Sequence, residues 1–425
     1  MGKKLCKYWS YYFAIAMALV ATSIITSLVL VYKDINQAEA NHNIIRISSK
    51  WGQMEKPEIA MNESGDTILI WQDKGGQSYE IMSQLFDSYG FPSSLPLKIN
   101  QFRPYDQKNP SVAMDKYGNF VVVWQSYKQD GSEGGIFGRG ISDDGRRMGK
   151  EFRVNTYLRG NQTSPAIAMD EYGNFVVVWT SEKQDGSPKS IYAQRFNAQA
   201  ERIGEEFRVN TRCDGTQTEP SVSLDNNGNF MIVWQSWDED DWNIYGQVYD
   251  WDGMPVSEED ILINKTIDYN QARPDVTTLG NDKFIVVWEN TSRHDVLEIK
   301  MENIKGQIYK NTGQKTGSEF DVSNPIAGHQ QYPDIIQASS SKLFVVWQNY
   351  NKRYIDDRCW HIFGQALKTN GTLDGNWVML SAESDKWNQS PAIASDSKGV
   401  IGVIWASLND IKYKKALHFT RTVAI

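Results

Sequence analysis

Two stretches of this 425-residue chain gather side chains suited to binding or cutting a polar substrate. Thr291–Asn303 carries Arg293, His294 and Asp295, and Asn349–His361 carries Arg353, Tyr354, Asp356, Asp357, Trp360 and His361. In a third spot, Trp237 and Trp242 bracket the acidic run Asp238-Glu239-Asp240-Asp241. Indole rings stack on the C–H faces of sugars while carboxylates and guanidinium groups take hydroxyl hydrogen bonds, so this set reads as ligand-binding. The structural alternative is that the tryptophans cover loop backbone. Glycosidic cleavage requires two carboxyls at a set separation, for which Asp295, Asp356 and Asp357 are available. Arg103, Arg159, Arg212 and Arg273 would supply the guanidinium groups that a sialic acid needs. His294 and His361 lack a third metal ligand, and the acidic run lacks the alternating spacing of a calcium loop. No Walker loop, Gly-x-Ser-x-Gly elbow or His-Glu-x-x-His motif occurs, so no catalytic residue, metal or cofactor is assigned.

Composition narrows the partners. With 44 Lys+Arg against 52 Asp+Glu the net charge is −8, which disfavours nucleic acid. Lys3, Lys4 and Lys7 precede an uncharged stretch, Tyr8–Tyr32. As a helix that stretch spans about 37 Å, enough to cross a bilayer core of about 30 Å. Two readings stay open: a membrane anchor with a cytoplasmic tip, or a signal peptide cut after Ala38-Glu39-Ala40. Both divide the chain into residues 1–40 and an exported body, 41–425, in the periplasm or at the cell surface. Within that body Cys213 and Cys359 fall on one face two repeat units apart, either as a disulfide or as two free thiols.

The elements that would position these side chains come from a repeat. Lys108–Trp124 (KNPSVAMDKYGNFVVVW) parallels Thr163–Trp179 (TSPAIAMDEYGNFVVVW). The same frame places Pro57, Pro110, Pro165, Pro220, Pro274, Pro333 and Pro391 fourteen positions before Trp71, Trp124, Trp179, Trp234, Trp288, Trp347 and Trp405. Each unit predicts four strands: one opening at the Pro, a turn at Asp-x-x-Gly, an apolar run ending at the Trp, a third marked by Ile-x-x-Gln, and a fourth ending in Phe-Arg-Val-Asn. The predicted class is all-β: a seven-bladed propeller of four-stranded antiparallel blades, after one amino-terminal transmembrane or signal helix. The last unit ends before a fourth strand, and Ile45-Arg-Ile-Ser48 has the pattern to supply it, closing the ring. Spacing from Trp to the third-strand Ile is longest at Trp288–Ile304 and Trp347–Ile362, which predicts long loops on one rim of blades five and six. Trp51 and Trp387, in connections between blades, fall on the same rim.

The phrases AMDEYGNFVVVW (Ala168–Trp179), KQDGS (Lys128–Ser132), IYAQRF (Ile191–Phe196) and EFRVNT (Glu151–Thr156) resemble a propeller repeat of bacterial exported and surface proteins, mostly without assigned activity. The Asp-x-x-Gly hairpin is also similar to the Asp-box turn of sialidase-like propellers, although the spacing differs. The long loops and the tryptophans gathered on one rim lead us to expect a non-catalytic interaction propeller binding a glycan or envelope protein on the rim of blades four to six. The alternatives are a structural docking subunit of an envelope complex, or a sialidase-like or other glycoside hydrolase.

Overall fold

Chain order alone generates the architecture, because each repeat pairs with itself before the next begins. The computed structural model describes residues 44–48, 53–238, 240–265, 269–280, 282–294, 299–323, 328–350, 359–382, 387–408 and 410–415. The apolar stretch Tyr8–Tyr32, the Ala38–Ala40 site, Trp51, Asp295, Arg353, Tyr354, Asp356 and Asp357 lie outside the described residues. Among the described residues no helix is long and apolar enough to cross a membrane. From Ile45 onward the chain is one compact unit.

After β1 (Ile44–Ser48) the first sheet runs β2 (Met54–Met61), β3 (Thr67–Lys74), β4 (Tyr79–Phe86) and β5 (Leu97–Lys98). The second holds β6 (Gln107–Met114), β7 (Phe120–Tyr127), β8 (Gly134–Ile141) and β9 (Arg147–Arg153). The third holds β10 (Gln162–Met169), β11 (Phe175–Glu182), β12 (Lys189–Phe196) and β13 (Arg202–Arg208). The fourth holds β14 (Gln217–Leu224), β15 (Phe230–Asp238), β16 (Asp241–Tyr249) and β17 (Ile261–Leu262). Next come β18 (Gln271–Thr278), β19 (Lys283–His294), β20 (Ile299–Lys310) and β21 (Lys315–Asp321). Then follow β22 (His329–Ser339), β23 (Lys342–Tyr350), β24 (Trp360–Lys368) and β25 (Val378–Met379). These last two groups count as one eight-stranded sheet because a single parallel pair, Glu302 with His329, joins β20 to β22. Finally β26 (Asn388–Ser395), β27 (Ile401–Ser407) and β28 (Asp410–Lys415) are completed by β1, which pairs with β28.

The first strands of successive groups pack on one another, and β26 returns to β2. Four-stranded antiparallel sheets whose innermost strands form such a ring are a β-propeller. The second strands explain the apolar runs: each is buried along nearly its whole length because neighbouring sheets cover both faces. Asp at the first hairpin caps its own turn. Asp115 Oδ1 accepts from the N–H of Tyr117 (2.8 Å) and Asn119 (2.9 Å), and Gly118 supplies φ of +92°.

Local readings change in three places. The first strands begin three or four residues ahead of each Pro, so the Pro sits inside the strand at a β-bulge. The fourth strands β9 and β13 stop at Arg153 and Arg208, before the Asn of Phe-Arg-Val-Asn. That Asn closes the sheet with its side chain instead: Asn155 Oδ1 accepts from Ile136 N (2.7 Å) and Asn210 Oδ1 from Ile191 N (2.7 Å). The long segment after Trp288 is largely not a loop, and of the one after Trp347 the described residues up to Tyr350 and from Trp360 onward are paired strand. β19 and β20 extend as a ribbon out to His294 and Ile299, because continuing the ladder satisfies backbone groups that a loop would leave open. Cys213 and Cys359 are free thiols.

The anchor tryptophans are fully buried, and several are tied down. Trp124, Trp179 and Trp288 donate Nε1–H to Gln107, Gln162 and Gln271 at 2.8, 3.1 and 3.1 Å. Trp179→Phe removes that donor and orphans the buried Gln162 carbonyl, so chemical denaturation should show a loss of about 2–4 kcal/mol. Trp251→Phe, at a residue 63% exposed, should change stability by less than about 0.5 kcal/mol.

Candidate functional site

The bulges converge on a cavity. The residue before each Pro is left-handed: Lys56, Asn109, Ser164, Glu219, Arg273, Tyr332 and Ser390 have φ between 47° and 54°. None is glycine, and each pays a conformational cost that its surroundings must offset. Part of the compensation is a bond between blades. In four repeats the residue following the anchor Trp accepts the bulge N–H of the next repeat: Gln72 from Asn109 (2.9 Å), Gln235 from Arg273 (2.9 Å), Glu289 from Tyr332 (2.6 Å) and Gln348 from Ser390 (2.8 Å).

The residues flanking all seven prolines line a central cavity of about 420 Å³. Its wall is uneven. The second and third repeats contribute Asn109, Ser111, Ser164 and Ala166, whereas the first, fifth and sixth contribute Glu58, Asp275 and Asp334. Asp275 spans three repeats, accepting from Ser221 Oγ (2.7 Å) and Ile335 N (2.9 Å); Asp334 accepts from Ile393 N (2.9 Å). Asp275 and Asp334 also hydrogen-bond to each other, so the pair shares a proton. Burial pushes both carboxyls up, and the Asp275 charge adds to the effect on Asp334. Glu58 is driven up to about 8, first by burial and then by Asp275, with Lys56 opposing. Glu58 makes no hydrogen bond among the described residues.

Beside these, Arg273 pairs with Glu289 at 2.6 Å and lies 4.3 Å over the Tyr332 ring. Burial raises Glu289 to about 7 even though Arg273 and the Tyr332 N–H pull it down. The other three arginines expected around a funnel are elsewhere. Arg212 donates to Tyr245 Oη (2.8 Å), Arg103 lines a recess with Tyr105 and Asp106, and Arg159 one with Asp130 and Glu182. The guanidinium cluster that sialic acid would need is therefore not assembled in the cavity.

A second feature runs along strand ends. Trp237 and Trp242 are not in a loop but face each other across β15 and β16, ring centroids 5.4 Å apart. Trp237 remains 38% exposed. The Trp242 N–H bonds Asn270 Oδ1 (3.2 Å), and Asn270 O accepts from Thr291 N (2.9 Å) at the foot of the β19–β20 ribbon. Arg293 and His294 belong to the backbone of that ribbon. Beyond it Glu302 meets His329, His329 lies 6.2 Å from Tyr350, and Tyr350 lies 5.2 Å from Trp360. Trp360 bridges to Trp387, itself 43% exposed. His361 Nδ1 is 3.3 Å from Ser381 Oγ, which also accepts from Ile362 N, a structural contact. Among the described residues no group of three His, Cys, Asp or Glu could hold a metal ion.

The sequence reading missed His329, Tyr350 and Asn270, and it missed the whole cavity. Aligning the repeats on Pro would have exposed the latter, because Lys-Pro-Glu, Arg-Pro-Asp and Tyr-Pro-Asp stand out against Asn-Pro-Ser and Ser-Pro-Ala.

No family model and no curated protein matches the sequence. Among solved structures, a polysaccharide lyase of family PL25, an ulvan lyase bound to -[GlcA(1-4)Rha3S]-, is similar with TM-score 0.56 at 10% identity, covering 88% of this chain and 96% of its own. A protein of unknown function from Dyadobacter fermentans is similar with TM-score 0.51 at 12% identity, covering 77% and 98%. At these identities the likeness is one of fold.

The raised carboxyls fix a pH dependence. A group whose pKa rises on folding stabilises the fold while protonated, so Glu58 contributes below its unfolded value near 4.5 and loses that contribution as pH rises through about 8. Glu289 and the aspartate pair act in the same direction. Melting temperature should therefore fall between pH 5 and 8.5, and Glu58→Gln should flatten the slope without lowering stability at pH 8.5.

Proposed function

We propose that this chain is an exported, seven-bladed propeller that recognises a glycan on the rim formed by blades four to seven. The eight-stranded sheet counts as two blades because one residue pair joins its halves, and β1 serves as the missing strand of the last blade. Tyr8–Tyr32 would hold it at the membrane, or cleavage after Ala40 would release it; an envelope protein is the alternative partner.

The observation that carries this reading is the aromatic strip. Trp237 and Trp242, His329 and Tyr350, then Trp360 and Trp387 sit at strand ends linked in sequence by Asn270, the β19–β20 ribbon and two parallel bridges. Partly exposed rings on a rigid edge, interleaved with Glu302 and Gln331, suit the alternating apolar and hydroxyl faces of a sugar chain. Similarity in fold to a polysaccharide lyase supports the same substrate class, and Arg293, His294, Asp295, Arg353, Tyr354, Asp356, Asp357 and His361 would extend the strip. On a polysaccharide array Trp242→Ala and Trp360→Ala should each lower retention at least tenfold with melting temperatures within a few degrees of wild type. Unchanged retention by both variants would reject the rim as the binding surface.

A further inference from the structure

We propose that the central cavity is a second carbohydrate site, taking a neutral sugar residue between Glu58 and the Asp275–Asp334 pair on one side and Asn109 and Ser164 on the other. The inference rests on the glycan reading above for its ligand class, but on different residues for its evidence.

Three observations select a neutral polyol. First, the cavity volume of about 420 Å³ is within the range of small-ligand sites and is walled by hydroxyl, amide and carboxyl groups from all seven repeats. Second, both cations of its lining are already engaged: Arg273 is held by Glu289 and stacked on Tyr332, and Lys56 lies 5.6 Å over the same ring, which weighs against an anionic ligand. Asp275 and Asp334 would in addition repel a uronate or sulfate. Third, the Glu58 carboxyl lines the cavity with no hydrogen bond among the described residues, unlike Asp275 and Asp334, which are met by Ser221 and backbone N–H groups. An enclosed polar group in that condition gains most from a partner that both donates and accepts, as a sugar hydroxyl does.

Ionisation then sets the pH behaviour. Glu58 shares the cavity wall with Lys56 on its own strand, Arg273 and Asp275 on β18, Tyr332 and Asp334 on β22, and Glu219 on β14; Asp275, Asp334 and Lys56 act on its charge. Near neutral pH it holds its proton and can donate as well as accept; above about 8 the donor is lost.

The test is isothermal titration of the full chain with cellobiose, mannobiose, xylobiose, maltose and glucuronate at pH 6.5 and 9. At least one neutral disaccharide should bind at pH 6.5, about tenfold more weakly at pH 9, while glucuronate should not bind at either pH. Glu58→Gln, a mimic of the protonated acid, should bind within about threefold of wild type at pH 6.5 and keep that affinity at pH 9. Glu58→Leu should lose at least tenfold at both. Binding unaffected by Glu58→Leu, wild-type affinity independent of pH, preference for glucuronate, or no neutral sugar bound would each overturn the proposal. Trp242→Ala with Trp360→Ala should leave this binding intact, so failure of the rim and failure of the cavity give different results.

Discussion

One hydrogen bond recurs between the inner strands: the N–H of the residue before the proline at Asn109, Arg273, Tyr332 and Ser390, donated to the side chain that follows the tryptophan of the preceding repeat. The left-handed conformation it fixes costs about 1–2 kcal/mol per residue, and a single buried hydrogen bond returns about 1 kcal/mol. The bulge alone is therefore close to neutral, and the surplus comes from the apolar strands that it brings together. What the bond contributes is position. At those four positions it ties neighbouring inner strands together and holds the residue before the proline at the wall of the central cavity.

The repeat also divides labour. Residues that recur satisfy buried polar groups in the same way in several repeats: Trp124, Trp179, Trp288 and Trp405 with a Gln or Asn partner, and Asp115, Asp170, Asp225 and Asp396 at the turn. Residues that differ at equivalent positions concentrate charge on one side of the axis. Asp275 and Asp334 are structural and polar at once, since each accepts a backbone N–H from the following repeat while facing the cavity. Ring closure draws on a comparable device: Lys415 of β28 is buried and donates to Gly65 O, Thr67 Oγ1 and Asp87 O in the first sheet.

The frame of strands was legible because its signals are local. Proline, Asp-x-x-Gly and an apolar run each act within a few residues, and repetition multiplied them. The cavity was not legible because the left-handed conformation at Arg273 and Tyr332 is tied to Gln235 and Glu289, side chains supplied by another repeat. Charged residues misled as well: Arg293 and His294 read as loop, yet paired strands carry them, since a ribbon tolerates polar side chains when its backbone ladder is complete. Trp237 and Trp242, which bracket an acidic run in the sequence, are likewise carried on paired strands.

Amide hydrogen exchange tests this recurring bond most directly. The N–H groups of Asn109, Arg273, Tyr332 and Ser390 should exchange only with global unfolding, and Gln235→Ala should release Arg273 alone. Fast exchange of these four amides in the wild-type protein, at rates typical of exposed turns, would contradict the account.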